Sequence, residues 1–186
     1  MEAMVRLRRE STALMVIDVQ ERLLPVIHEA EELERRIAVA IAGAHELGVR
    51  VIATEQYPRG LGSTVPTIAD ALGELTPHEK ISFSCCGVEP VDAELASLSP
   101  RAVLVAGIET HVCVLQTSLD LIERGMTPVL LADCVSSRHA SDHAVALERL
   151  RDAGACVTTL DSALFEIMGV AGSDEFKAIS RLVKPL

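Results

Sequence analysis

The chain has 186 residues, of which 49% are apolar and 24% charged, a composition typical of one folded globular domain with a substantial core. Seventeen Lys and Arg against 27 Asp and Glu give a net charge of −10, so the protein repels polyanions. With three Phe, one Tyr and no Trp there is also little aromatic surface for stacking bases, and we expect neither nucleic acid nor an anionic membrane as a partner.

Targeting and cysteine signals are weak. No apolar run of signal-peptide form follows the charged start, and apolar stretches such as 37–44 are far too short to cross a bilayer. Five cysteines without a CxxC pair or zinc-like spacing predict free thiols in a reducing, cytoplasmic setting. Cys134 and Cys156 lie in apolar, strand-like contexts, which predicts that both are buried. With no linker and no repeat, residues 1–186 are predicted to form a single domain.

Short apolar runs alternate with helical patterns along the chain. The first run, TALMVIDV, is nearly all apolar and rich in β-branched residues, which is typical of a strand buried on both faces. The predicted elements are strand 12–19, helix 31–47, strand 49–54, a loop from 55 to about 67, a weak strand 79–83, helix 92–98, strand 102–106, helix 113–124, strand 127–132, helix 142–153, strand 155–160 and one or two C-terminal helices. Strands separated by helices predict βαβ units, and hence an open parallel α/β sheet covered by helices on both faces.

Three chemically capable side chains follow or begin these strands. Asp18 ends the first strand, Lys80 lies in the third, and Cys113 follows the fourth in VLVAGIETHVCV. Taken singly, each has an ordinary structural explanation: a turn carboxylate, a solvated lysine and a small buried thiol. Ligands of open parallel sheets bind beyond the carboxyl ends of the strands, so we expect all three at one rim.

A thiol, a carboxylate and an ammonium at one rim suit acyl transfer. A helix N-terminus and a nearby cation lower a thiol's pKa, so we expect Lys80 and the first helical turn to activate Cys113. Asp18 would accept the thiol proton and later return it to a leaving group. Backbone N–H groups of the same turn would hold the oxyanion.

The histidines near this rim are weaker candidates. His111, two residues before Cys113, is predicted to be structural or at the edge of the substrate rather than the catalytic base. His139 and His143 lie four residues apart, which is a metal-like spacing, but no nearby carboxylate pattern completes a site. GIETHVC fits neither GxGxxG nor a P-loop, so no phosphate-binding loop is predicted.

Asp18 in VIDVQE, Lys80 in EKISFS and Cys113 in GIETHVCV, in that order, resemble the isochorismatase-like cysteine hydrolases, which include nicotinamidases and related amidases. The resemblance covers about 12–161. It implies an Asp-Lys-Cys triad on a three-layer, Rossmann-like fold with a six-stranded parallel sheet in the order 3-2-1-4-5-6. It also implies a cis Ile108–Glu109 peptide bond and an oxyanion hole formed by the N–H groups of Glu109 and Cys113.

Two departures from the family pattern narrow the expected chemistry. Nicotinamidases carry an Asp-x-His pair and a further His that bind a metal, whereas the corresponding segment here, TEQYPRGLGSTVP, has no His. The resemblance therefore implies no metal, no other cofactor and a substrate other than nicotinamide. Isochorismatases that cleave a vinyl ether usually have Gly where Cys113 stands, so its presence favours amide or related C–N hydrolysis.

The sequence thus predicts a metal-independent cysteine hydrolase acting on a small amide or carbamoyl compound. Residues predicted to line the substrate pocket are Gln20, Gln56, Tyr57 and Phe83. Two alternatives stay open: a catalytically weak binding or scaffold protein that retains the fold, and a redox switch that pairs Cys113 with Cys85 or Cys86. The family and the small residues of helix 31–47 together predict a homo-oligomer.

Overall fold

The computed structural model describes residues 6–186 as eight α-helices around one six-stranded sheet. The strands are β1 (Thr12–Ile17), β2 (Arg50–Gln56), β3 (His78–Lys80), β4 (Ala102–Ile108), β5 (Thr127–Ser136) and β6 (Cys156–Thr158). The α-helices are α1 (Ala30–Glu46), α2 (Pro58–Leu61), α3 (Pro66–Leu72), α4 (Glu89–Leu98), α5 (Leu115–Glu123), α6 (Ala140–Asp152), α7 (Leu160–Met168) and α8 (Asp174–Val183). A π-helical turn, Thr110–Val114, leads into α5, and 3-10 turns occupy Arg9–Ser11 and Leu24–Val26.

All strands are parallel, in the order β3-β2-β1-β4-β5-β6, which confirms the predicted sheet. Every residue of β1 is buried, as expected for a strand covered on both faces. Alternate residues of β1 supply two separate cores: Leu14 packs on the side of α1, α3, α7 and α8, and Met15 on the side of α4, α5 and α6. The three-layer α/β architecture is therefore confirmed.

Several local predictions need correction. The predicted loop 55–67 contains α2 and the start of α3, and each of these helices begins with a proline, where the missing N–H costs no hydrogen bond. Strand β5 runs four residues further than predicted, to Ser136. Cys134 is buried as expected, but Cys156 is exposed because β6 is a three-residue strand at the edge of the sheet.

The glycine that interrupts β4 has a steric function. Gly107 pairs with Ile17 of β1, and its φ is +120°, in a region that side chains rarely adopt. A Cβ at this position would lie 2.1 Å from the carbonyl oxygen of Ile17 and 2.6 Å from its backbone nitrogen. Glycine therefore brings β1 and β4 together at the level where the chain turns toward Asp18 on one strand and Cys113 on the other.

Candidate active site

The register of the sheet brings the predicted triad to one edge. Ile17, the residue before Asp18, pairs with Thr54 of β2 on one side and with Gly107 of β4 on the other. Lys80 pairs with Gln56, two residues beyond Thr54. The carboxyl ends of four neighbouring strands thus meet around Asp18, as expected for a ligand site in an open parallel sheet.

Asp18 and Lys80 form a buried ion pair. Lys80 Nζ lies 2.6 Å from Asp18 Oδ2, and neither side chain is accessible to solvent. The hydroxyl of Thr54 donates to the other carboxylate oxygen at 2.8 Å. Burial raises the pKa of Asp18, and this effect outweighs the lowering by the Lys80 charge and by the hydrogen bonds from Lys80, Thr54 and Cys113. A carboxylate with a raised pKa is a stronger proton acceptor.

The Lys80 ammonium is fully engaged by oxygen atoms. Besides Asp18, it donates to Gln56 Oε1 at 2.8 Å and to the carbonyl oxygens of Phe83 at 3.0 Å and Ser82 at 3.2 Å. Four acceptors therefore surround three N–H donors, so the ammonium is held in place with no donor left for another group. Its contribution to the site is its charge and the orientation it gives Asp18.

Cys113 lies in the π-helical turn at the start of α5 and is buried. Burial raises the pKa of its thiol, and the negative charge of Asp18 and a hydrogen bond to its carboxylate raise it further. Lys80 lowers this pKa, but by less than burial or the charge of Asp18 raises it. The expectation that the helix terminus and Lys80 would give a low thiol pKa is therefore wrong, because burial and the neighbouring Asp18 carboxylate outweigh the charge of Lys80.

Of the predicted pocket-lining residues, Gln20 binds backbone groups with both ends of its side-chain amide. Its side chain is fully buried and its amide nitrogen donates to the carbonyl oxygens of Gln56 at 3.0 Å and Gly62 at 2.7 Å. Its amide oxygen accepts the N–H of Gln56 at 2.7 Å. Gln20 therefore joins the end of β2 to Gly62, and Gln56 in turn donates to the carbonyl of Ile81 and accepts from Lys80.

Tyr57 and Phe83 are exposed beside this site. Tyr57 is 50% exposed and donates its backbone N–H to the carbonyl of Lys80 at 2.8 Å. Phe83 is 53% exposed, and its carbonyl accepts from the Lys80 ammonium. Ile81 between them is 73% exposed. The chain therefore places an apolar surface next to its buried ion pair, while its other two aromatic side chains, Phe165 and Phe176, pack against each other.

The turn before Cys113 has the backbone form that the resemblance implies. The Ile108–Glu109 peptide bond is cis, and the carbonyl of Glu109 accepts the N–H groups of Val112 at 3.0 Å and Val114 at 3.2 Å. The assignment of the Glu109 and Cys113 N–H groups to an oxyanion hole stays a prediction.

A second thiol lies close to the triad. Cys85 is fully buried, its sulfur is 3.5 Å from the hydroxyl of Thr54, and burial raises the pKa of its thiol to about 12. Burial likewise raises the pKa of Cys86 to about 11. Thiolate is the form that oxidants attack, so these pKa values do not favour the redox switch.

Sequence reasoning missed Thr54, which fixes one oxygen of Asp18. Its position held a usable signal, because it ends the predicted strand 49–54 and such strands end at the same rim as Asp18. His111 and His143 bond to Ser137 and Thr110, and neither enters the triad. Among residues 6–186, no group of three or more His, Cys, Asp or Glu side chains is arranged to hold a metal ion.

Comparison with known proteins assigns the family. The model of the isochorismatase domain matches residues 12–162. The chain belongs to the isochorismatase family. Isochorismatase domain-containing protein 2 of Bos taurus is 39% identical over 183 residues, which cover 98% of this chain and 87% of that protein. Members of this family are hydrolases, and the enzyme class predicted from the triad is therefore confirmed.

Solved structures agree with this assignment. The MAR1 ribonuclease of Caenorhabditis elegans superimposes with a TM-score of 0.91 at 37% identity, over 96% of this chain and 92% of that one. YcaC of Escherichia coli, an octameric hydrolase of unknown specificity, superimposes with a TM-score of 0.91 at 19% identity, over 100% and 94% of the two chains. At that identity the second comparison shows the fold alone. No helix in the described part of this chain has the length and apolar content needed to span a bilayer.

Proposed function

We propose that this chain is a metal-independent cysteine hydrolase that cleaves a C–N bond of a small amide or carbamoyl compound. The observation that carries the proposal is the buried Asp18–Lys80 ion pair, 2.6 Å long, beside the buried Cys113 thiol, whose pKa is raised by burial and by the charge of Asp18. A thiol with a high pKa and an adjacent strong acceptor is suited to losing its proton during attack rather than before it.

The proposed acylation step uses Cys113 and Asp18. The Cys113 proton passes to Asp18 as Sγ bonds to the substrate carbonyl carbon, and the carbonyl oxygen takes the negative charge. The N–H groups of Glu109 and Cys113 would bind that oxyanion. Asp18 then returns the proton to the substrate nitrogen, the C–N bond breaks, and a neutral amine leaves behind a thioester on Cys113.

Deacylation uses the same groups in reverse order. Water attacks the thioester carbon while Asp18 accepts one of its protons. Collapse of the tetrahedral intermediate expels Sγ, which takes the proton back from Asp18 and restores the thiol. Lys80 holds Asp18 throughout through the 2.6 Å contact and balances its charge. The chain itself thus supplies base, acid, nucleophile and oxyanion donors.

The side chains proposed to contact substrate are Tyr57 and Phe83. Their exposed rings lie on segments whose backbones are hydrogen-bonded to Lys80. Exposed aromatic groups beside a polar site favour an apolar substituent on the amide. Phe83→Ser is expected to raise KM for such an amide by about tenfold, since truncating one apolar contact is worth about 1–3 kcal/mol.

The test is ammonia or amine release from a panel of small amides and carbamoyl compounds. Wild-type protein should hydrolyse at least one compound, Cys113→Ala should release nothing above background, and Cys156→Ala, which removes an exposed thiol from β6, should match the wild type. Binding of these compounds without turnover by wild type would instead support the scaffold alternative. Equal turnover by Cys113→Ala would overturn the proposal.

RNA hydrolysis is a second candidate because a relative of 37% identity is named a ribonuclease. The net charge of −10 opposes RNA binding, since a protein binds a polyanion through basic surface groups that displace its counterions. We expect no cleavage of a labelled single-stranded RNA at low salt. Cleavage that disappears in Cys113→Ala would replace the amidase proposal.

We further propose a homo-oligomer and a cytoplasmic location. The relation to a protein named as octameric supports self-association. Light scattering that returns the mass of a single chain at micromolar concentration would refute the first proposal, and recovery of the native protein outside the cytoplasm would refute the second.

A further inference from the structure

Three consecutive residues at the start of the turn that carries Cys113, Glu109 to His111, are bound to a single segment. This segment, Ser137–His143, we call the clamp segment, and residues 109–114 we call the nucleophile's turn. Arg138 Nε donates to Glu109 Oε1 at 2.9 Å, and its backbone N–H approaches the same oxygen at 3.4 Å. The ring nitrogen Nδ1 of His143 lies 3.0 Å from the hydroxyl of Thr110. Nδ1 of His111 lies 2.9 Å from the hydroxyl of Ser137.

The clamp segment is itself held from the opposite side. The N–H of His28 donates to the carbonyl of Ser137 at 2.9 Å, and the hydroxyl of Ser136 donates to the carbonyl of His28 at 2.9 Å. These bonds join the clamp segment and Ser136, the last residue of β5, to the loop before α1. The turn that carries Cys113 is therefore fastened to a braced part of the structure, about 30 residues away along the chain.

These three bonds have a different role from the triad contacts. Thr110 is fully buried and the Glu109 side chain is 12% exposed, whereas Arg138, the partner of Glu109, is 55% exposed, so the Thr110–His143 bond is the better shielded of the two. The side chains of Glu109, Thr110 and His111 bond to the clamp segment, whereas Asp18 is bound from β2 and β3. The distance between nucleophile and base thus depends on two independently supported parts of the fold.

We infer that the clamp segment, acting mainly through His143 and Arg138, is a positioning device that sets Cys113 against Asp18 for attack. Neither residue touches the reacting atoms in this account, so both are positioning residues rather than catalytic ones. The inference rests on the proposed function, in which the thiol proton is transferred during attack. A displacement of about 1 Å in such a pair is enough to lower a rate by about 100-fold.

The test uses matched substitutions at Thr110. Thr110→Val keeps the shape but removes the hydroxyl that meets His143, whereas Thr110→Ser keeps the hydroxyl. On the best amide from the panel, Thr110→Val and His143→Phe should each lower kcat by about 10- to 100-fold with KM within about twofold, since both remove the same bond. Thr110→Ser should stay within about threefold of wild type, and Thr110→Val/His143→Phe should be no slower than either single variant.

Arg138→Gln gives a surface test that leaves the core intact. The Arg138 side chain is 55% exposed, so the expected loss in kcat is smaller, about three- to tenfold. Arg9→Gln is the matched control, because Arg9 pairs with Glu175 at the same 2.9 Å separation on α8 and should leave kcat unchanged.

Normal kcat in both Thr110→Val and Arg138→Gln, whatever their urea midpoints, would overturn the inference and leave the clamp segment a structural brace. If the wild type hydrolyses no amide, the proposed function fails, and the rate of Cys113 alkylation by iodoacetamide replaces kcat as the readout. That rate should then change by more than threefold in Thr110→Val and by less in Thr110→Ser. Equal rates in the two variants would overturn the positioning role separately.

Discussion

Gly107→Ala should be one of the most damaging single-methyl additions in this chain. The added Cβ would lie 2.1 Å from the carbonyl oxygen, 2.6 Å from the nitrogen and 2.8 Å from the carbonyl carbon of Ile17. All three atoms belong to the backbone of β1, so no side chain rotation relieves the overlap. Relief requires β1 and β4 to separate, which removes Asp18 from its place beside Cys113.

Two costs add in this variant. Overpacking in a core costs about 1–3 kcal/mol, and a non-glycine residue in a sparsely populated backbone region costs about 1–3 kcal/mol. We therefore expect Gly107→Ala to lower the free energy of unfolding by about 2–6 kcal/mol, a large part of the 5–15 kcal/mol typical of a domain. Urea denaturation followed by circular dichroism measures the loss.

Gly154→Ala is the matched control for the backbone cost. Gly154 has φ +105°, close to the +120° of Gly107, but nothing lies within 4 Å of a Cβ built there. This variant should lose only the backbone contribution, about 1–3 kcal/mol. Equal losses in the two variants, within about 0.5 kcal/mol, would refute the claim that close approach of β1 and β4 requires glycine.

Three further predictions concern the buried charges and thiols. Asp18→Asn and Lys80→Met should each lower the free energy of unfolding by about 3–5 kcal/mol, because each leaves one charge buried without its partner. The double variant Asp18→Asn/Lys80→Met should recover most of that loss in urea denaturation but stay inactive in the amide assay. Burial raises the pKa of the Cys134 thiol, so this group contributes stability below the unfolded thiol pKa of about 8.5 and loses that contribution as pH rises. The free energy of unfolding should therefore fall by more between pH 8 and 10 in wild type than in Cys134→Val. Parallel curves for the two proteins would contradict this. Mild hydrogen peroxide should produce no disulfide between Cys113 and Cys85 or Cys86, because all three thiols have raised pKa values, and a bridged peptide in mass spectrometry would restore the redox hypothesis.

The sheet was predictable because its signal is local. Most of the strands are apolar runs between helical patterns, although β3 (HEK) is polar, and parallel strands collect their end residues at one rim whatever the details of the loops. Asp18 and Lys80 were therefore placed together from position alone, and the family resemblance supplied the strand order. The short helices α2 and α3 were missed because their Gly and Pro content indicates a loop, although a proline can equally begin a helix.

The pKa shifts at the site could not be predicted without the three-dimensional arrangement of its charged groups. The sequence places a cation and a carboxylate near Cys113 but does not say which of them is closer or already paired. Lys80 is bound to Asp18, so the cation that was expected to activate the thiol instead orients the base. The predicted thiol pKa was wrong because burial, the largest cause of the shift, and the charge of Asp18 together outweigh the charge of Lys80.

The hydrogen bonds that polar side chains make to the rest of the fold were the other feature that the sequence did not predict. Gln20 was predicted to line the substrate pocket, yet its amide binds the backbone of Gln56 at the end of β2 and of Gly62 beyond it. The bonds from Arg138 and His143 to the nucleophile's turn depend on the length of β5 and on its register shift against β4 near Gly107. No local sequence pattern encodes that register.

Acid-quenched mass spectrometry of the protein during turnover tests the central claim most directly. With a hydrolysed amide, the intact mass should rise by that of the acyl group, the label should map to Cys113 and hydroxylamine should remove it. Asp18→Asn, which lacks the proton acceptor, should acquire this label far more slowly than wild type. A substrate that is consumed at the normal rate with no acyl group on Cys113, or with undiminished labelling in Asp18→Asn, would contradict the account.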